Sequence, residues 1–92
     1  MTAPAEEKQI GLFVLAPEYN MPYADGMTTA QAVGRRILLH REQRHWTQEE
    51  LAHRAGISIY NLTKYENGRA TPKLETLKAL AHAFGVGIES LT

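Results

Sequence analysis

The fold is decided by residues 47–66, which read TQEELAHRAGISIYNLTKYE. Thr47 followed three residues later by Glu50 forms a capping box, which predicts the start of a helix. Gly56 stands where a helix commonly ends in a left-handed residue, and Ser58 can cap a second helix directly afterwards. The inward positions of the two helices are apolar or small: Leu51, Ala52, Ala55, Leu62 and Tyr65. The stretch therefore predicts two short amphipathic helices joined by a sharp turn.

Two helices joined by a turn of three or four residues that contains glycine form a helix-turn-helix. We expect the helices to cross at Ala52, because a larger side chain there would push them apart. Ile57 and Leu62 then fill the space under the turn, and the outward face of the second helix stays available. That face carries Ile59, Tyr60, Asn61, Thr63 and Lys64, several of which can contact base edges. The alternative is a helix pair that only packs.

Helix signals continue on both sides of this motif. Thr28 and Gln31 form another capping box, which begins a helix that runs to about Arg44. Thr71-Pro72 begins a later helix, with proline at the first position, where its missing N–H is not needed. That helix carries an apolar stripe and a terminating glycine: Leu74, Leu77, Leu80, Ala81, Phe84 and Gly85. With a last short turn at 88–91, the pattern predicts an all-α domain of five short helices.

The first 27 residues differ from the rest of the chain. Three of the four prolines lie there, and no helical period is visible. Residues 10–16, IGLFVLA, are apolar with β-branched and aromatic members, which predicts a short strand. Because a single strand is not stable alone, it must pair, and a second copy of itself is the simplest partner. The chain thus divides into an N-terminal arm, residues 1–27, and a helical domain, residues 28–92.

Composition limits the class of protein. A chain of 92 residues with 43% hydrophobic residues fits one small folded domain. The absence of cysteine excludes disulfides and thiolate metal sites, and no two histidines have His-x-x-x-His spacing, so we expect no metal. No nucleophile motif, phosphate loop or cofactor motif is present, which argues against an enzyme and against a cofactor. The longest apolar run is too short for a membrane span, so we expect a soluble cytoplasmic protein.

The net charge of zero conceals an asymmetry. Residues 1–26 contain one base and four acids, a balance of −3. Residues 27–92 contain nine bases and six acids, a balance of +3. A positive domain with a negative arm is compatible with a polyanionic partner such as a nucleic acid.

Residues 33–91 resemble the Cro/C1-type (Xre) helix-turn-helix family of phage repressors and bacterial regulators. The resemblance lies in Thr47–Ala52, Ala55–Ser58, Tyr65–Gly68, Pro72 and the apolar stripe of the later helix. It implies a five-helix lambda-repressor-like DNA-binding domain. The arm with its short strand is an N-terminal extension of that domain and matches nothing in the family. It also implies that Arg41 and Glu66 form a largely buried, structural ion pair.

The resemblance implies a mode of binding to double-stranded DNA, with the third helix, about residues 58–66, in the major groove. The residues placed to contact bases are Ser58, Ile59, Tyr60, Asn61 and Lys64. The residues placed to contact phosphates are Gln48, Asn67, Gly68, Arg69 and Lys73. Lys64 can donate to guanine and Asn61 can pair with adenine. Family repressors often carry glutamine where Ile59 and Tyr60 stand, so their operator sequences do not transfer.

A single module covers little DNA, so we expect a homodimer on a near-palindromic operator with half-sites about 34 Å apart. In the family the dimer contact often lies at the end of the domain, where Val86, Ile88 and Leu91 are candidates. The arm strand around Phe13 is a second, compatible candidate.

The sequence therefore predicts a homodimeric transcriptional regulator, most simply a repressor, because a repressor need only occupy a promoter. Two alternatives remain open at this point. In the first, the chain is an antitoxin that binds operator DNA while residues 10–16 bind a partner toxin. In the second, it is a protein–protein adaptor that uses the fold without recognising bases.

Overall fold

Four α-helices and one short 3-10 helix make up residues 26–92, the part of the chain that this computed structural model describes. The elements are α1 (Thr29–Gln43), α2 (Gln48–Ala55), α3 (Ile59–Glu66), α4 (Leu74–Phe84) and the 3-10 helix (Ile88–Ser90). Over these residues the chain is all-α, as predicted, and none of its helices is long and apolar enough to span a membrane. The strand predicted for residues 10–16, with Phe13, lies outside the described residues.

The predicted starts of the first three helices are confirmed. The hydroxyl groups of Thr28 and Thr47 each accept the backbone N–H three residues ahead at 3.1 Å. In turn, the side-chain oxygens of Gln31 and Glu50 accept hydrogen bonds from the backbone N–H groups of Thr28 and Thr47, at 3.0 and 2.8 Å. Both are complete capping boxes, so the starts of α1 and α2 are set by local sequence. Ser58 caps α3, as predicted.

The start of α4 differs from the prediction. Pro72 is not its first residue, because Lys73 takes the extended N-cap conformation and the helix begins at Leu74. Pro72 is buried in the segment before the cap. Leu74 does not join the buried stripe either. It is 58% exposed, because burial of the stripe begins one turn later, at Leu77.

The core is one cluster to which all four α-helices contribute. Its buried members are Val33, Ile37, Leu51, Ala52, Leu62, Leu77, Leu80, Ala81, Phe84 and Leu91. The prediction of Leu91 as a dimer contact is wrong for its side chain, which is fully enclosed in the core of its own protomer. Val86 and Ile88 are half-buried against the same cluster and keep part of their surface exposed.

The helix α1 crosses behind the end of α3 at a glycine. A Cβ atom at Gly34 would overlap the carbonyl oxygen of Tyr65. The backbones of the two helices therefore approach more closely than any side chain would allow. This contact holds α3 from its inner side and leaves its outward face exposed.

A cluster of aromatic rings around Arg44 joins the end of α1 to the end of α4. The Arg44 guanidinium lies 4.9 Å from the centre of the Phe84 ring and donates to the Phe84 carbonyl oxygen at 2.7 Å. His40 stacks on Phe84, and Trp46 stacks on its ring at a centroid distance of 6.0 Å. Burial and the charge of Arg44 lower the pKa of His40, although a hydrogen bond with the Ser90 backbone opposes them. The guanidinium thus satisfies carbonyl groups that the helix ends leave unpaired.

Candidate nucleic-acid interface

The outward face of α3 carries the predicted base-contacting residues at the surface. Tyr60 is 70% exposed and Ile59 is 40% exposed, although both are large and hydrophobic. Asn61 is also exposed, and the Ser58 hydroxyl accepts the Asn61 N–H as the helix cap. Leu62, the next residue in sequence, is fully buried. Large apolar side chains exposed together on one helix face mark an interaction surface.

A groove of about 400 Å³ runs beside this face; we call it the α3 groove. It is lined by Tyr60, Thr63, Lys64, Asn67 and Arg69. Two residues predicted to contact bases, Tyr60 and Lys64, thus share one depression with two predicted to contact phosphates. Among these lining residues two are cations and none is an acid, so the groove favours an anionic ligand.

The long side chain of Lys64 is half-buried rather than extended into solvent. Its ammonium nitrogen lies 5.2 Å from the centre of the Tyr60 ring. Residues four apart face each other on a helix, which brings the cation over the ring. The ring face carries negative charge, so the contact is attractive.

Gln48, at the first position of α2, is joined to α3 inside the protein. Its amide nitrogen donates to the Glu66 carboxylate at 2.9 Å, and its amide oxygen lies 3.3 Å from the Thr63 hydroxyl. The amide nitrogen has two hydrogens, so one donor remains for a ligand such as phosphate. The side chain of Gln48, predicted to contact a phosphate, is therefore held in place by its bonds to α3.

Thr63 is the one lining residue to which the sequence assigned no role in binding. Its hydroxyl donates to the Ile59 carbonyl oxygen one turn earlier at 2.8 Å. That bond turns the side chain toward Gln48. The feature of the sequence that could have identified Thr63 is its position on the outward face, four residues before Asn67.

Arg41 and Glu66, the pair that the family resemblance implies, are joined by two hydrogen bonds of 2.7 and 3.0 Å. Their side chains are only 14% and 3% exposed. The third guanidinium nitrogen donates to the Trp46 carbonyl oxygen at 2.8 Å. The hydrogen bond that Arg41 donates to Glu66 raises the pKa of Arg41, against the opposing effect of burial. One side chain thus fixes the end of α3 to α1 and to the turn before α2.

The loop after α3 carries the other predicted phosphate contacts. The Arg69 N–H donates to the Lys64 carbonyl oxygen at 2.9 Å, so the loop starts directly on the last turn of α3. Asn67 and Arg69 are exposed there, and Lys73 is exposed at the start of α4. Gly68 has a φ of +72°, and a Cβ on it would lie 2.8 Å from the Cγ atom of Gln31. The close backbone approach at Gly68 is therefore to Gln31 of α1.

No group of three or more histidine, aspartate or glutamate side chains within residues 26–92 is arranged to hold a metal ion. Lys64, Arg69 and Lys73 are the cations among the residues predicted to contact DNA. The carboxylate of Glu66, at the end of α3, is neutralised by Arg41.

Comparison with known proteins agrees with this geometry. The protein-family model described as helix-turn-helix matches residues 37–91. The immunity repressor protein of Bacillus phage phi105 is 39% identical over 59 residues, which cover 64% of this chain and 41% of that protein. The cryptic phage CTXphi transcriptional repressor RstR of Vibrio cholerae is 41% identical over 51 residues, covering 55% of this chain and 46% of that protein. The match therefore spans less than half the length of either relative.

A solved structure has the same architecture. The restriction-modification controller protein C.AhdI from Aeromonas hydrophila superposes with a TM-score of 0.67 and 26% sequence identity. The superposition covers 76% of this chain and 100% of that one. The helical part of this chain therefore matches the whole length of that controller protein's chain.

Proposed function

The chain belongs to the Cro/C1-type helix-turn-helix family, and from this premise we propose that it is a homodimeric transcriptional regulator that binds double-stranded DNA sequence-specifically. The observation that carries the proposal is the exposed outward face of α3 beside a groove that holds two cations and no acid among its lining residues. A helix that packs against the protein with its inner face and exposes its outward face is the element that enters a major groove.

In the proposed complex α3 enters the major groove with its N-terminus first. Ile59 presents an apolar surface to a thymine methyl group, and Lys64 donates to a guanine edge. Ser58, Tyr60 and Asn61 lie beside them on the same exposed face. These contacts give specificity, because they meet the edges of the bases.

Phosphate contacts on both sides of α3 supply affinity. On one side, the remaining donor of Gln48 and the N-terminus of α2 meet one strand. On the other side, Asn67, Gly68 and Arg69 in the loop meet the second strand, with Lys73 adding charge. The α3 groove supports this arrangement, because it places Arg69 next to Lys64.

We propose a dimer on a near-palindromic operator, because one module of this size covers only half of a typical site. Val86 and Ile88 remain the candidate contacts on the domain, since each keeps part of its surface exposed. Phe13, in the arm, is the other candidate. The antitoxin and adaptor alternatives depend on residues 10–16, and no feature of residues 26–92 favours them.

Repression is the activity we propose, at a promoter in the cytoplasm of a bacterial cell. Two relatives are named as repressors, the phi105 immunity repressor and RstR. A dimer bound to the two half-sites of an operator blocks the access of other proteins to the same duplex. Binding alone is therefore sufficient for repression.

Selection from a pool of random duplexes tests the function. We expect the wild-type protein to enrich a near-palindromic sequence, and Lys64→Ala to relax one base pair of each half-site at a cost of about 1–3 kcal/mol. Lys78→Ala, an exposed cation of α4 outside the groove, is the control and should select the wild-type sequence. Recovery of no preferred sequence at moderate salt would contradict the proposal.

Arg69→Ala tests the phosphate contact separately. Because a phosphate contact carries no sequence information, the variant should bind specific and non-specific duplexes more weakly by the same factor. The slope of log K against log salt should flatten by about one unit. Fluorescence anisotropy titrations at several salt concentrations measure both effects. A loss confined to the selected sequence would assign Arg69 to a base instead.

A further inference from the structure

Tyr60 and Lys64 are in contact on the outward face of α3. The Lys64 ammonium lies 5.2 Å from the centre of the Tyr60 ring, and both side chains line the α3 groove. Tyr60 is 70% exposed, whereas Lys64 is half-buried. We infer that Tyr60 is a positioning residue, whose ring holds the Lys64 ammonium at the base-contacting end of α3 and so sets the base preference at the Lys64 contact.

The contact between Lys64 and Tyr60 is directed toward the N-terminus of α3. Tyr60 is the second residue of α3 and Lys64 is the sixth, so the ring lies one turn nearer to the helix N-terminus. Side chains of a helix lean toward its N-terminus, which lets the ammonium reach the ring without strain. In the proposed complex that end of α3 lies deepest in the major groove. The ring therefore holds the charge beside the bases.

Without the ring, Lys64 has another position to adopt. Its four-carbon stem is flexible, and the same groove opens toward Asn67 and Arg69, where the proposed phosphate contacts lie. An ammonium that is not held there would be attracted by the phosphate backbone. Loss of the ring should therefore change what Lys64 contacts, from a base to a phosphate, while the total charge at the interface stays the same.

The inference rests on the proposed function, and a set of four variants tests it by duplex selection. Lys64→Met identifies the base pair that depends on the lysine. Tyr60→Leu should relax the preference at that same base pair by about two- to fivefold, the factor expected for an exposed cation–π contact. Because Lys64 then contacts a phosphate, the slope of log K against log salt should steepen by up to about one unit. Tyr60→Phe keeps the ring and should keep the preference at that base pair, whatever the hydroxyl contributes elsewhere.

The double variant Tyr60→Leu/Lys64→Met completes the cycle. If the ring acts through the lysine, the double variant should show no greater relaxation at that base pair than Lys64→Met alone. Additive losses, or an unchanged preference in Tyr60→Leu, would overturn the inference while leaving sequence-specific binding in place. A wild-type protein that selects no sequence would instead overturn the proposed function, and this inference with it.

A second measurement needs no DNA. In the wild-type protein and in Tyr60→Phe, the ring should shift the NMR signals of the Lys64 ε-methylene protons upfield. In Tyr60→Leu the signals should return to the position of an ordinary lysine. Wild-type signals at the ordinary position would overturn the inference independently of any binding experiment. Circular dichroism confirms the fold of each variant, because both substituted side chains reach the surface.

Discussion

Glu66 is the residue on which the position of α3 depends most. Its carboxylate accepts two hydrogen bonds from Arg41 and one from Gln48, and its side chain is 3% exposed. Three elements meet there: the end of α3, the last turn of α1 and the start of α2. The contact is charged, but its partners and burial make it structural.

Glu66→Gln should destabilise the protein strongly. The substitution keeps the shape of the side chain but leaves the largely buried guanidinium of Arg41 without the Glu66 counter-charge. Breaking one partner of such a pair typically costs about 3–5 kcal/mol. Chemical denaturation followed by the fluorescence of Trp46, the single tryptophan of the chain, measures the loss. Glu49→Gln, at an exposed position of α2, is the control, and an equal effect in both variants would contradict the assignment.

His40 makes folding stability depend on pH. Burial and the charge of Arg44 lower its pKa in the folded protein below the usual value of 6.5. The unfolded chain therefore binds a proton more readily than the folded one. Its contribution to stability is fully present above pH 6.5, and it is lost as the pH falls through 6.5 toward the lower folded-state pKa.

Unfolding measured between pH 8 and pH 5 should show this loss as a falling denaturation midpoint. His40→Gln should flatten the part of the profile just below pH 6.5, whereas Gln43→Ala, at an exposed position of the same helix, should keep the shape of the wild-type profile. A wild-type profile that rises as the pH falls through this window would show that the sign is wrong.

At the scale of the element, the packing of α1 on α3 depends on Gly34. An alanine in a helix is usually more stable than a glycine by about 0.5–1 kcal/mol. Here the order should reverse, because a Cβ would overlap the Tyr65 carbonyl oxygen and force the two helices apart. Gly34→Ala should destabilise by about 1–3 kcal/mol, as overpacked cores do.

Thermal or chemical denaturation of Gly34→Ala checks this expectation. Gln43→Ala, at an exposed position of the same helix, is the control and should change the free energy of unfolding by no more than about 0.5 kcal/mol. A gain in stability for Gly34→Ala would mean that the helices separate without penalty. Since α3 would move with them, DNA binding should fall in the same variant.

Helix starts and ends could be predicted from the sequence because their causes are local. Thr28, Thr47 and Ser58 each bond to a backbone group three residues away, so the necessary information lies within one turn. Gly56 and Gly85 end their helices through their own φ angles of +69° and +73°. The left-handed residue after α1 is His45, with a φ of 58°, and no glycine or other turn signal at that position predicts it.

The remaining features depend on contacts between distant residues. Leu74 and Leu91 have similar side chains in apolar patterns, yet one is 58% exposed and the other is fully buried. Only the arrangement of the helices decides between them. The same holds for the candidate site: the outward face of α3 follows from periodicity, but the bonds of Gln48 to Glu66 and Thr63 join residues 18 and 15 positions apart.

At the scale of the whole molecule, residues 28–92 contain the complete core of the described structure. Every buried hydrophobic residue lies between Val33 and Leu91, and the first helix starts with its own cap at Thr28. A chain that begins at Met27 should therefore keep its helical circular dichroism and cooperative unfolding. Loss of the helical signal would show that residues 1–26 belong to the fold.

The same truncated chain tests the role of the arm in assembly. If the strand predicted for residues 10–16 pairs between protomers, analytical ultracentrifugation should show weaker dimerisation than for the full chain. If Val86 and Ile88 make the contact instead, the dimer should persist, and Ile88→Asp should dissociate it.

The guanidinium of Arg41 has a consequence for how such a protein could change its target. Because it anchors the third helix to two other segments at once, that helix has little freedom to tilt or slide on a duplex. Any mismatch in shape must then be absorbed by bending of the DNA or by the exposed side chains. Exchanging those side chains for others should redirect the protein to a new sequence while its melting temperature stays nearly constant. The sequence preference of the domain can therefore be changed without loss of stability.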